Sequence, residues 1–188
     1  MKFKIVKRCH EDLGSIHGLL KSFLPFARKR MGFNKPPTIF FQSDDTNAKK
    51  LLGKTAHYDP TTLNVTVYIT GRHPKDVLRS LSHELVHHGQ NCRGEFGHTP
   101  DTAPGYAQKD SHLRDMEIEA YREGNLCFRD WEDGVKTSKI PIPEPLRESL
   151  FNNNIGEKKM KLNEWKQNEL NRLLMEKFNL KTESEEGQ

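Results

Sequence analysis

The sequence has few of the features that cross-link a protein or anchor it in a membrane. Only three of its 188 residues are cysteine, they form no CxxC unit, and three thiols cannot all pair within one chain. No apolar run approaches the roughly 18 residues that a membrane span needs. The first eight residues also lack the apolar run of a signal peptide. We therefore expect a reduced, cytoplasmic protein that does not enter a membrane.

The chain also lacks a large net charge of either sign. The 30 basic residues are interspersed with 26 acidic ones and leave a net charge of +4, which makes nucleic acid an unlikely partner. Hydrophobic residues make up 34% of the chain, and no internal repeat is visible. This length and composition predict one modest core with an appendage, or two small domains.

The stretch from Ser82 to Gly89 contains the pattern HExxH. Residues four apart lie on one side of a helix, so His83 and His87 can present two imidazoles to one metal ion. Glu84 would reach a water on that metal and act as a general base. A pattern this short arises in roughly four of a hundred shuffled chains of this composition, so a third ligand must be found elsewhere.

Hydrophobic periodicity predicts several helices and a small sheet. Leu78, Leu81 and Leu85 form the apolar stripe of the helix that carries HExxH, and both imidazoles lie off that stripe. The predicted elements are a helix over residues 9–31 that kinks or divides at Pro25, a strand over 38–41, a short helical turn after Ser43, a hairpin of strands 55–58 and 63–69, a helix over 74–88 closed by Gly89, and a helix over 112–133 closed by Gly134.

Two further segments have a different character. Residues 90–110 are polar and lack periodicity, which is typical of a functional loop or a disordered segment, and a functional loop here would be a lid over the cleft. Residues 136–188 are predicted to form an extended proline-containing linker followed by an amphipathic helix over 160–180. That helix either docks on the main body or binds a protein partner.

Several residues after HExxH could supply the third ligand, namely Cys92, His98, His112, Glu117 and Glu119. At about 100° per residue, Glu117 shares a helix face with Ala120 and Gly124, whereas Glu119 points to solvent. A carboxylate that faces the interior needs a partner or a metal. The small residues would permit close approach of another helix. This geometry favours Glu117.

The sequence His83-Glu84-Leu85-Val86-His87, followed by Glu117-Ile118-Glu119-Ala120, resembles the gluzincin zinc peptidases, especially the minigluzincins. The resemblance covers roughly residues 55–131. It implies a zincin-like α+β domain over residues 1–135, in which a small mixed or antiparallel sheet packs on an active-site helix and a second ligand helix. His83, His87 and Glu117 would then bind Zn²⁺, with Glu84 as the catalytic base.

The resemblance also implies roles for other residues. The family often has Asp or Asn where this chain has Tyr121, whose hydroxyl would bond a ligand histidine or stabilise the oxyanion. An edge strand before the first ligand helix binds the substrate backbone in such peptidases. The matching segment here is residues 63–69, with Val65, Val67 and Tyr68 as the substrate-binding candidates.

These observations predict a zinc metalloendopeptidase that acts on a peptide or protein. A zinc-stabilised binding module without catalysis is one alternative; it would use residues 63–69 and the helix over 160–180. The other is a DNA-associated protease of the SprT type, with His98 as the third ligand.

Overall fold

The protein has an α+β fold, as predicted. The computed structural model describes residues 2–48, 53–96 and 111–151, which form four strands and five helices. In chain order these are β1 (Lys4–Arg8), α1 (Gly14–Met31), β2 (Thr38–Gln42), α2 (Asp45–Ala48), β3 (Ala56–Asp59), β4 (Asn64–Tyr68), α3 (Pro74–Cys92), α4 (Ser111–Lys136) and α5 (Glu144–Phe151). Residues 97–110 of the predicted lid over 90–110, with His98, and the helix over 160–180 lie outside the described residues.

The four strands form one mixed sheet in the order β1-β2-β4-β3. β1, β2 and β4 run parallel to one another, and β3 pairs antiparallel with β4. Side chains alternate between the faces, so Ile39, Phe41, Val65 and Val67 enter the core together and are fully buried. The predicted alternation of the second hairpin strand is confirmed.

The prediction that residues 63–69 form an edge strand is wrong. β4 is hydrogen-bonded to β2 on one side and to β3 on the other, and the side chains of Val65 and Val67 have no exposed surface. Tyr68 lies on the opposite face, with its ring centroid 6.1 Å from that of His57. β2 pairs with β4 although β2 lies well before the hairpin in the chain. The periodicity of the hairpin strands cannot predict a pairing with such a distant segment. Among the described strands, β3 forms the edge on this side of the sheet.

β1 was not predicted, and α1 begins at Gly14 where a start near residue 9 was expected. β1 consists of Lys-Ile-Val-Lys-Arg, and its pairing with β2 depends on a segment about thirty residues away. α1 continues through Pro25 as a single helix. Pro25 lies on the exposed face, where water can bond the carbonyl that lacks its usual partner.

Two helices continue past the glycines predicted to end them. α3 runs to Cys92, because Gly89 and Gln90 are buried in helical contacts, and the left-handed glycine is Gly94, at φ 81°. α4 likewise passes Gly134 and ends at Lys136. A Cβ at Gly134 would lie 2.7 Å from Cδ1 of Ile140, so this glycine serves close packing.

The chain after residue 135 continues to pack on the body. Leu150 of α5 is fully buried, and Leu146 covers Gly18 so closely that a Cβ there would lie 2.6 Å from its Cδ1. The compact unit comprises Met1–Asn152. The packed domain therefore extends past the predicted boundary at residue 135, and the predicted linker contains α5.

α3 lies at the centre of the core and contacts β3, β4, α1, α4 and α5. Its predicted stripe of Leu78, Leu81 and Leu85 is fully buried. Trp131 of α4 packs edge-on against Phe23 of α1, with ring centroids 5.3 Å apart. In residues 2–48, 53–96 and 111–151, no helix combines the length and apolar character needed to cross a bilayer.

An ion pair between α3 and α4 generates a prediction about stability. Burial raises the pKa of Glu132, but Lys75 Nζ at 2.7 Å and Lys136 Nζ at 3.3 Å outweigh it, so the pKa lies below the ordinary 4.5. The stabilisation is therefore complete above the unfolded-state pKa and is lost as the pH falls through the lower, folded-state pKa. Glu132→Gln should cost about 1–2 kcal/mol near pH 7, and the cost should shrink below pH 4.

Urea denaturation of wild type and variant across this pH range measures the effect. Asp133→Asn is the control, because Asp133 is largely exposed and its ion pairs are longer. A loss of stability in Glu132→Gln that did not change with pH would contradict the role of the ion pair.

Candidate metal centre

Small residues allow α3 and α4 to approach each other closely, as predicted. A Cβ at Gly124 would lie 2.9 Å from the Cα of His83, and Ala120 is fully buried. The Ser82 hydroxyl donates a hydrogen bond of 2.8 Å to the Gly124 carbonyl. This contact aligns the helices at the turn that carries His83 and so brings Glu117 over both histidines.

His83, His87 and Glu117 form one cluster. The two histidine Nε2 atoms are 3.2 Å apart, and each lies 3.5 Å from a Glu117 carboxylate oxygen. The three potential ligand atoms all lie within 4.8 Å of one another. The tertiary structure thus brings together the three residues that the sequence singled out.

The donor set fits a zinc ion. Bonds of about 2.0–2.1 Å in tetrahedral geometry separate the ligand atoms of zinc by about 3.3 Å, close to the separations in this cluster. Two imidazole nitrogens and a carboxylate oxygen are also typical zinc ligands. The three side chains keep 10–24% of their surface exposed, so a small molecule can reach the cluster.

The acids and bases of the cluster influence one another. Burial lowers the pKa of His87, but the hydrogen bond with Glu117 and the nearby Glu84 carboxylate outweigh it, and the pKa is raised. The metal-free cluster therefore favours a proton on His87. A metal ion would take over the position that this proton fills.

Glu84 lies beside the cluster and is 8% exposed. Burial raises its pKa, and Glu117 adds to the rise. His87, His83 and the backbone N–H of Tyr58 act in the opposite direction without cancelling it. A carboxylate with a raised pKa is a stronger proton acceptor than an exposed glutamate.

A cavity of about 430 Å³ opens next to His83 and Glu84. One side is the chain that leads into β3, from Gly53 to Ala56, and the other sides are formed by α3 and α4. The backbone N–H of Tyr68 bonds to the Thr55 carbonyl, so alternate residues of β3 face β4 and the backbone groups of Ala56 and Tyr58 face outward. The Tyr58 N–H faces Glu84, so an extended peptide in the cavity would meet the backbone groups of Ala56.

β3 is tied to α3 by a buried polar network. The Nε2–H of His88 donates to the Lys35 carbonyl at 2.8 Å, so its Nδ1 accepts from the Tyr58 hydroxyl at 3.1 Å. Asn91 Nδ2 donates to the same hydroxyl and to the Pro60 carbonyl, both at 2.8 Å. His88, which carried no assignment in the sequence, thus holds the edge strand beside the cluster.

Tyr121 lies at the mouth of the cavity. Its side chain is 64% exposed, and its ring centroid is 4.6 Å from that of His83. Its hydroxyl makes no hydrogen bond within the part of the chain that the structure describes. Tyr121 therefore contacts His83 through its ring, and the two roles predicted for its hydroxyl stay predictions.

The other candidate ligands have different surroundings. Cys92 Sγ lies 3.6 Å from His88 Nε2, and His112 Nε2 bonds to the Glu95 carbonyl at 2.8 Å. The prediction that Glu119 points to solvent is wrong, because its carboxylate accepts hydrogen bonds from Gln90 and Arg93. Gln90 was missed because a single glutamine after HExxH has no recognisable spacing signal.

Comparison with protein-family models, curated proteins and solved structures gives no match for this chain. The assignment of a site therefore depends on the residues and their geometry.

The close contact at Gly124 makes the cluster sensitive to a single methyl group. In Gly124→Ala, the new Cβ meets the backbone of His83, so the helices must separate by some tenths of an ångström. We expect a loss of about 1–3 kcal/mol in the free energy of unfolding, and weaker zinc binding. Denaturation and zinc titration measure both quantities.

Arg129→Ala on the exposed face of α4 is the matched control and should leave zinc binding unchanged. If Gly124→Ala bound zinc as tightly as wild type, the spacing of α3 and α4 would not determine the cluster geometry.

Proposed function

We propose that the protein is a zinc-dependent peptidase that hydrolyses a peptide bond in a peptide or protein. The observation that carries the proposal is the grouping of His83, His87 and Glu117 at zinc-ligand separations, with the buried Glu84 beside them. The α+β fold, with its antiparallel edge strand and two ligand-bearing helices, is compatible with a zincin-like arrangement.

His83, His87 and Glu117 would hold the zinc. The ion would supply a Lewis acid that polarises the scissile carbonyl and acidifies a water at neutral pH. Glu84 would take a proton from the attacking water and pass it to the leaving amine. Its burial, which raises its pKa, suits a group that both accepts and releases a proton. Tyr121, at the mouth of the cavity, is the proposed donor to the developing oxyanion.

The substrate would bind as an additional strand on β3. The N–H and C=O of Ala56 face outward next to the cavity, where an extended peptide can pair with them. β3 thus takes the role first assigned to residues 63–69, since the backbone of β4 is paired on both sides. The free thiols at Cys9, Cys92 and Cys127 suit the reducing cytoplasm.

The first test separates catalysis from metal binding. Glu84→Gln keeps the size of the side chain but removes its ability to take a proton. We expect it to bind one zinc per chain like wild type and to lose about 10²–10⁴-fold in peptide hydrolysis. Metal analysis of the purified proteins and mass spectrometry of a digested peptide library provide the measurements.

Glu123→Gln, on α4 but outside the cluster, is the charge control. Wild-type activity in Glu84→Gln would show that Glu84 is not the catalytic base. A wild type that binds zinc, melts at a lower temperature after chelation and cleaves no peptide would instead be a zinc-stabilised binding module.

The second test concerns the edge strand. Ala56→Pro removes the outward N–H but no bond to β4, so thermal stability and zinc affinity should stay near wild type. Loss of one backbone hydrogen bond to substrate should lower kcat/KM about three- to tenfold. Ala56→Val, which keeps the N–H, should not show this loss. Equal effects in the two variants would argue against strand addition at β3.

A further inference from the structure

Gln90 is fully buried and lies one helical turn after His87. Its Oε1 is 2.8 Å from His87 Nδ1. Its Nε2 is 2.9 Å from the Met116 carbonyl oxygen and 2.9 Å from Glu119 Oε2. Gln90 thus connects the imidazole of one helix to the backbone and a carboxylate of the other.

The chemistry of these partners determines which way the amide points. The Met116 carbonyl and the Glu119 carboxylate only accept hydrogen bonds, so the amide NH₂ must face them. The amide oxygen is then left to face His87. Because that oxygen only accepts, His87 Nδ1 must carry a proton and donate it.

We propose that Gln90 is a positioning residue that fixes the tautomer of His87. When the ring is neutral its proton lies on Nδ1, and Nε2 presents its lone pair to the space shared with His83 and Glu117. This inference rests on the proposed zinc site, and Gln90 itself touches neither metal nor substrate. In the other tautomer an N–H would point at His83 Nε2, 3.2 Å away, and that nitrogen could not bind a cation.

A chain of charged groups holds Gln90 in this orientation. Arg93 donates to the Glu119 carboxylate at 2.9 Å, and it also pairs with Glu95. The ion pair with Arg93 thus holds the Glu119 carboxylate where it accepts a hydrogen bond from the Gln90 amide. The chain runs from the surface at Arg93 through Glu119 and Gln90 to the buried His87.

The two histidines are held differently. Within the described part of the chain, Nδ1 of His83 has no hydrogen-bond partner, and its ring packs against those of Tyr121 and His87. His83 is thus oriented by ring packing, whereas His87 is oriented by a hydrogen bond. Zinc affinity should therefore depend on Gln90 but hardly on the hydroxyl of Tyr121.

The experiment measures zinc affinity of the full chain by competition with a chromophoric chelator. Gln90→Leu keeps the bulk but removes the acceptor, and we expect zinc affinity to fall about 10–100-fold. The double variant Gln90→Glu/Glu119→Gln exchanges the amide and the carboxylate. It restores an acceptor for His87 and a hydrogen bond between positions 90 and 119, so it should recover part of the loss.

Two controls separate this effect from general destabilisation. Glu132→Gln weakens another contact between α3 and α4 without touching the cluster and should bind zinc like wild type. Tyr121→Phe removes only the hydroxyl and should also keep its zinc affinity. Thermal melting of every variant shows which of them fold.

Nuclear magnetic resonance gives a readout that does not depend on activity. We expect a slowly exchanging imidazole proton on His87 Nδ1 in wild type and its loss in Gln90→Leu. Wild-type zinc affinity in Gln90→Leu, or coordination through Nδ1, would overturn the inference. A wild type that binds no zinc would overturn the proposed function, while the His87 proton signal would still decide the role of Gln90.

Discussion

The approach of α3 to α4 across Gly124 is the contact on which the candidate site depends. His83 and His87 are brought to one side of α3 by local helix geometry alone, but Glu117 belongs to another helix. A side chain larger than hydrogen at Gly124 would meet the backbone of His83. The distance of 3.5 Å from Glu117 to both imidazoles therefore follows from a backbone contact about two turns further along α4.

The cluster concentrates negative charge in a partly buried place. Glu84 is almost fully buried and Glu117 lies close to it, and each carboxylate raises the electrostatic cost of ionising the other. Burial is the main cause of the raised pKa of Glu84, whereas the hydrogen bond with Glu117 is the main cause that raises the pKa of His87. Both shifts favour the state of the site that carries more positive charge. A divalent cation would interact with all three donor groups at once, whereas a proton binds to one nitrogen.

The strand β3, which lies beside the cluster, is held by hydrogen bonds at both of its ends. Arg72 fixes the start of β3 by donating to the carbonyls of Thr55 and Tyr68, and its other nitrogen bonds to the Asp76 carbonyl and Ser80. His88 and Asn91 hold the Tyr58 hydroxyl from the opposite end. β3 is thus anchored at both ends, while the outward backbone groups of Ala56 pair with none of the described residues.

Local patterns were enough to predict α1, α3 and α4, the burial of Leu78, Leu81 and Leu85, and the grouping of Glu117 with the histidines. Each of these depends on a period of 3.6 residues, which a single stretch of chain displays. The C-terminal end of α3 was mispredicted because Gly89 and Gln90 are stabilised by contacts with other segments. β1 and the position of β4 inside the sheet were missed for a related reason, since parallel pairing joins segments far apart in the chain.

The sequence by itself therefore determined the chemistry that is available: two imidazoles and a carboxylate on one turn of helix, and an inward carboxylate with small neighbours on a second helix. Only the tertiary structure decided which strand has a free edge, and that Gln90 and Glu119 lie behind His87. Hydrogen-bond partners from different helices, and the strands on either side of β4, are set by packing between distant segments. The periodicity of a single segment cannot predict that packing.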